Sequence, residues 1–163
     1  MQDCSLSSIL RFDDLKLLSL AQEDEPQVLC VPAELSELDG VISFIEEKLE
    51  GMEFPMKAAM AFSIAAEEIF VNIAHYAYKG KNAGSRKAWV IFRATGGDYA
   101  HVTFVDEGIP YDPLARPDPD VSLAAEERDV GGLGIFMVKK SMDSVVYRNI
   151  DGRNRLTISK RRA

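Results

Sequence analysis

The sequence predicts an α+β domain, a two-layer sandwich with helices packed on one face of a mixed, mostly antiparallel sheet. Strand-like runs come in pairs joined by tight-turn residues, GGD at 96–98 and Asp151-Gly152 within IDGRN. Runs with a helical apolar period stand between those pairs. The chain has 163 residues, 47% apolar and 28% charged, which suits one soluble domain with a substantial core.

QVLCV, residues 27–31, reads as a strand stopped by Pro32. ELSELDGVISFIEEKLEGM follows, with apolar residues at 35, 38, 41, 42, 45 and 49, a helical period that Gly51 stops. Residues 55–79 read as a second helix that opens at Pro55. KGKNAGS is a loop. AWVIFRAT and YAHVTFVD read as alternating strands around the turn at 96–98. Residues 107–131 form a long loop rich in Pro, Asp and Gly, with one short helical turn at SLAAEER. GIFMVKKSM reads as a third helix, and SVVYRN and RLTISKR as a closing hairpin. The division expected is an extension of unknown role over 1–25 and one domain over 26–163.

The net charge of −7 argues against a nucleic-acid partner. No 18-residue apolar run is present, and the first residues do not form a signal peptide, so no membrane span is expected. Cys4 and Cys30 form no metal-binding or redox spacing, which places the chain in the cytoplasm. His75 and His101 are not spaced as ligands.

Three short motifs carry chemistry. In EEIFVNIAHYAY, Glu68 and Asn72 lie one helical turn apart beside a core stripe of Phe62, Ala66, Ile69, Ile73 and Ala77. A polar pair there either bonds to itself and the backbone or faces a ligand. In VTFVDEGIPYDP, Val102, Phe104 and Asp106 share one strand face, so Asp106 ends the strand at the core side. Such a carboxylate can accept a bond from the exocyclic amine of adenine, and Gly108 allows a sharp turn or a close ligand. In DVGGLGIFMVKK, Gly131, Gly132 and Gly134 precede a helix whose N-terminal N–H groups suit an anion. Singly, the first two read better as a satisfied helix pair and a strand-ending Asp turn, and the third equally well as a hinge. Together they supply what a nucleotide site needs: an amide oxygen at Asn72 for a metal, a carboxylate at Asp106 for adenine, glycines for phosphates and a loop to close over them. Glu68 is placed to take a proton from a hydroxyl or water.

At these residues the chain resembles the GHKL, or Bergerat-fold, ATP-binding superfamily, and within it the bacterial anti-sigma-factor serine/threonine kinases. The resemblance runs from about Pro32 to Lys160. It implies Glu68 as general base and Asn72 as the Mg²⁺ ligand. Asp106 and Gly108 would form the adenine-binding first glycine box, and Gly132, Leu133 and Gly134 the phosphate-binding second. Pro110 stands where the wider first box often has Gly. The implied activity is ATP- and Mg²⁺-dependent phosphorylation of a Ser or Thr on a STAS-type anti-anti-sigma protein, in a switch that also binds a sigma factor. Such proteins are often homodimers. Two other readings fit the residues: a protein-interaction module of the same fold, with or without ATP but without kinase activity, and a structural α+β protein with no nucleotide.

Overall fold

The computed structural model describes Ile9 and residues 24–81, 86–124 and 132–163. Strand β1 (Gln27–Pro32) leads through a 3₁₀ turn (Leu35–Glu37) into helix α1 (Leu38–Gly51), and α2 (Met56–Asn72) follows. Next come β2 (Lys87–Thr95), β3 (Tyr99–Asp106), α3 (Leu133–Ser141), β4 (Ser144–Ile150) and β5 (Arg153–Arg161). The sheet order is β1-β2-β3-β5-β4. Every pairing is antiparallel, so the parallel component expected of a mixed sheet does not occur among the described residues.

The α2 sequence, MKAAMAFSIAAEEIFVN, is rich in strong helix formers. It starts where the chain is released from Pro55, whose carbonyl accepts from Ala58 N–H at 2.9 Å and Ala59 N–H at 3.0 Å. Ala58, Phe62, Ala65, Ala66, Ile69 and Phe70 are buried, so this face of the helix lies in the core, and α2 packs beside α1 and α3. The main core lies between the helices and one sheet face. There Val41, Ile45 and Leu49 of α1 and Val138 of α3 meet Val90, Phe92, Val102, Phe104 and Ile158.

Three expectations are amended. The second helix does not run as α-helix to residue 79. It changes at Ile73–Ala77 into a π-helical turn, the wider coil that recurs at functional sites. AWVIF in β2 does not alternate between core and solvent, for all five residues are buried, a pattern typical of a strand covered on both faces. Within SLAAEER, the described Ser122 and Leu123 lie in a turn closed by Asp120, whose carboxylate accepts from Ser122 N–H at 2.9 Å. Residues 125–128 of that stretch, which include Arg128, lie outside the described residues, as do Gly131 and Cys4.

Candidate functional site

The end of α2 is the hub of the site. Glu68 and Asn72 are both half-buried, and Asn72 Nδ2 donates to Glu68 Oε1 at 3.3 Å. The Glu68 carboxylate packs against the Cα of Gly134 in the first turn of α3. A Cβ on Gly134 would lie 1.9 Å from Oε1 and 2.0 Å from Cδ. Only glycine leaves room for that carboxylate, which binds the first motif to the third. Gly132 precedes α3 at φ 87°, a left-handed backbone that favours glycine. Leu133 is exposed at the head of the helix, and Phe136 N–H returns to Gly132 O at 3.0 Å.

The second motif reaches the same helix one turn further on. Ala77 ends the π-turn Ile73–Ala77, so its carbonyl has no partner further along the helix, and Ile109 N–H donates to it at 2.8 Å. Gly108 sits so close that a Cβ there would lie 2.1 Å from Ala77 O. Both glycine turns are therefore docked on α2 and its extension, through contacts that a side chain would break.

Asp106 is 6% exposed at the end of β3. Its Oδ1 accepts from Gly108 N–H and from Asn154 Nδ2, each at 2.9 Å. Burial raises its pKa above the usual carboxylate value, against the lowering effect of those two hydrogen bonds. Asn154 faces Asp106 across the β3–β5 ladder. Asn154 Nδ2 also donates to Ile109 O at 2.9 Å, and its Oδ1 accepts from Tyr147 OH at 2.6 Å and Tyr111 N–H at 3.2 Å. One buried amide thus fixes the carboxylate and the backbone after it. No sequence pattern marks Asn154, because its role depends on strand register.

Tyr78, also without a role in the sequence reading, closes the π-turn. Its hydroxyl donates to Lys87 O and accepts from Glu107 N–H at 2.9 Å. Burial pushes its pKa up to about 12, so it stays a phenol across physiological pH. Lys81 Nζ donates to Glu107 O at 2.6 Å, and Arg153 pairs with the Glu107 carboxylate at 3.0 Å. His75 does not join the cluster. Its ring is exposed, meets Tyr76 edge-on at 5.8 Å, and lines a separate depression with Glu34, Tyr78, Lys79 and Arg86.

The residues present fit a nucleotide with a hard cation. The amide NH₂ of Asn72 is the half that bonds Glu68, so that bond does not consume its oxygen. Among the described residues no group of three or more His, Cys, Asp or Glu is placed to hold a metal. Mg²⁺ bound through one protein oxygen, phosphates and water needs no such group. At the other end, Asp106 and the Gly108 cradle offer a buried acceptor beside a close-approach backbone. The loop between the glycine motifs is held to α3 by an ion pair between Asp118 and Lys139. No helix among the described residues is long and apolar enough to cross a membrane.

Among curated proteins none matches the chain. Solved structures similar in fold include the following two. One, of the RsbU and RsbW domains of Rv1364c from Mycobacterium tuberculosis, aligns with TM-score 0.60 and 13% identity over 85% of this chain. This chain spans only 32% of that longer one. The other, the SiaB-SiaC complex from Pseudomonas aeruginosa, aligns with TM-score 0.57 and 14% identity over 98% of this chain and 99% of that one. Residues 31–160 match the histidine kinase-like ATPase domain family. With its helices on one face of an antiparallel sheet and its helix-end motif docked against both glycine turns, the chain belongs to that family, whose ATPase domain implies ATP binding.

Proposed function

We propose that this chain is a partner-switching regulator that binds ATP with Mg²⁺ and phosphorylates a Ser or Thr of a STAS-type anti-anti-sigma protein, alternating between it and a sigma factor. The observation that carries the reading is the seating of the Glu68 carboxylate on Gly134, at the head of α3. It puts a proton acceptor beside the helix terminus that would receive phosphates. The two related structures support the partner side of the reading: one is of a complex, SiaB with SiaC, and the other holds an RsbW domain beside an RsbU domain.

In this reading Asp106 accepts from the exocyclic amine of adenine, and Asn154 holds the carboxylate in place. Gly108 keeps the backbone flat against Ala77. Gly132, Leu133 and Gly134 present the α3 N-terminus to the phosphates. Asn72 supplies an amide oxygen to Mg²⁺, which would neutralise charge on the transferring group. Glu68 takes the proton of the partner's hydroxyl as its oxygen attacks the γ-phosphorus. The bond to the β,γ-bridging oxygen breaks, ADP departs, and the partner carries the phosphoryl group. The phosphate adds up to about two negative charges. A chain of net charge −7 then repels its own product.

Titration calorimetry with ATP and Mg²⁺ tests the site. The wild type binds, Asp106→Asn loses binding, and Glu68→Gln binds ATP but transfers no phosphate to a STAS-domain substrate. Transfer at the wild-type rate by Glu68→Gln would remove Glu68 as the base. Binding without transfer by the wild type would leave a nucleotide-gated interaction module. No binding at all would leave an interaction module on an ATPase scaffold.

A further inference from the structure

In a two-layer sandwich the sheet face away from the helices meets water, and here part of it does not. Alternation along β2 turns Val90 and Phe92 toward the helices, so Trp89 and Ile91 point the other way, beside Val105 of β3. These three are 5%, 2% and 0% exposed. Ile9, far away in sequence, shares their cluster and is 1% exposed, and its carbonyl accepts from the Arg155 guanidinium on the same face. Val28 and Cys30 of β1 extend the apolar surface and are only partly buried.

Arg153 lies over the indole, its guanidinium carbon 5.7 Å from the ring centroid, but one isoleucine beside it is too small to cover Ile91, Val105 and two further apolar residues as well. The Trp89 indole N–H is buried and has no hydrogen-bond partner among the described residues. Beyond the apolar area the face carries the hydrogen-bonded pairs Thr103–Thr157 and His101–Ser159 and, on β4 and β5, two arginines. Arg148 of β4 and Arg155 of β5 are direct cross-strand partners, an arrangement of like charges that favours an anionic occupant. The sequence before β1 has the matching chemistry. It carries Leu6, Leu10, Phe12, Leu15, Leu17 and Leu18, and its acids Asp3, Asp13, Asp14 and Glu23 outnumber its bases Arg11 and Lys16. The chain re-enters the sheet at Asp24, whose N–H donates to Ala94 O at 3.3 Å.

We propose that residues 1–23 dock in cis across the outer face of the sheet, with Ile9 seated on Trp89, Ile91 and Val105 and carboxylates of the segment meeting Arg148 and Arg155. The outer face is then an intramolecular docking surface, and partner proteins are left the helical side.

Trp89 is the single tryptophan of the chain, so its fluorescence reads this face alone. In the full-length protein, Ile9→Asp is expected to red-shift the emission and raise the acrylamide quenching rate several-fold, with the far-UV circular dichroism unchanged. Ile9→Val is expected to match the wild type. In a Cys4→Ser background, alkylation of Cys30 should speed up in the same Ile9→Asp variant. Should Ile9→Asp fail to fold, Ile9→Ala carries the same reading, with a smaller rise in quenching. Unchanged quenching and unchanged Cys30 alkylation overturn the proposal. Protection of Trp89 that depends on protein concentration also overturns it, because the occupant would then be a second copy.

Discussion

Asp106 is a carboxylate held where water is scarce, and its energetics run against its use. Burial raises its pKa above the usual 3.8. The folded state therefore keeps the proton to higher pH than the unfolded chain does, and folding stability from this group falls as pH rises through that window. Each unit of elevation corresponds to about 1.4 kcal/mol. Asn at 106 keeps an oxygen for Gly108 N–H and Asn154 Nδ2 but carries no charge. Asp106→Asn should thus melt above the wild type at pH 7, by about 2–4 °C per kcal/mol, with the gap closing toward pH 4. Thermal melts across that range check it; a variant less stable at every pH would show that the ionised carboxylate is net favourable. The two docked glycines make a second contrast at this scale. A Cβ at 134 meets the far end of a flexible Glu side chain, whereas one at 108 meets backbone carbonyl. Gly134→Ala should fold normally, helped by better helix propensity, and lose phosphotransfer by about 10²-fold as Glu68 is displaced. Gly108→Ala should lose about 1–3 kcal/mol of stability, read as a lower Tm. Equal melting losses in both would contradict the assigned contacts.

At the scale of elements, the π-turn Ile73–Ala77 is what lets one helix serve two glycine turns. It ends α2 with a carbonyl turned to Ile109 and with Tyr78 bridging Lys87 and Glu107. Tyr78→Phe removes both hydroxyl bonds and leaves the Glu107 N–H without that acceptor, so it should cost about 1–3 kcal/mol. The Tm should fall by several degrees and ATP affinity should weaken with it, because Glu107 adjoins Asp106. An unchanged Tm would show that the hydroxyl pins nothing. The period-3.6 pattern of residues 55–79 foretold a helix but not its change of winding, since a π-turn keeps the same residues helical. Likewise AWVIF was legible as a strand, while its burial on both faces depended on Ile9, about 80 positions away.

Considered as a whole molecule, the site is an assembly of three chain segments around one helix end, so a ligand that bridges them should stabilise the entire domain. ATP with Mg²⁺ at about 100 times its Kd should add about 2.7 kcal/mol, or about 5–10 °C in Tm. Differential scanning fluorimetry of wild type and Asp106→Asn checks this, with the shift expected in the wild type alone. A shift in the wild type smaller than about 1 °C would count against a bridging nucleotide.

The sequence by itself determined the elements, the α+β class and the three motifs. Apolar period, glycine placement and polar residues inside apolar runs are local properties, and local properties survive in a string of letters. Glu68, Asn72, Asp106, Gly108, Gly132 and Gly134 could be picked out in this way, while Leu133 entered only through the family resemblance. The tertiary structure alone decided which of them touch. The contact of Glu68 with Gly134, the approach of Gly108 to Ala77, the pairing of Asp106 with Asn154 and the seating of Ile9 on Trp89 join residues 31 to 80 positions apart. Such pairs are set by strand register and helix docking, where packing of the common core selects one arrangement and no short stretch of sequence carries the choice.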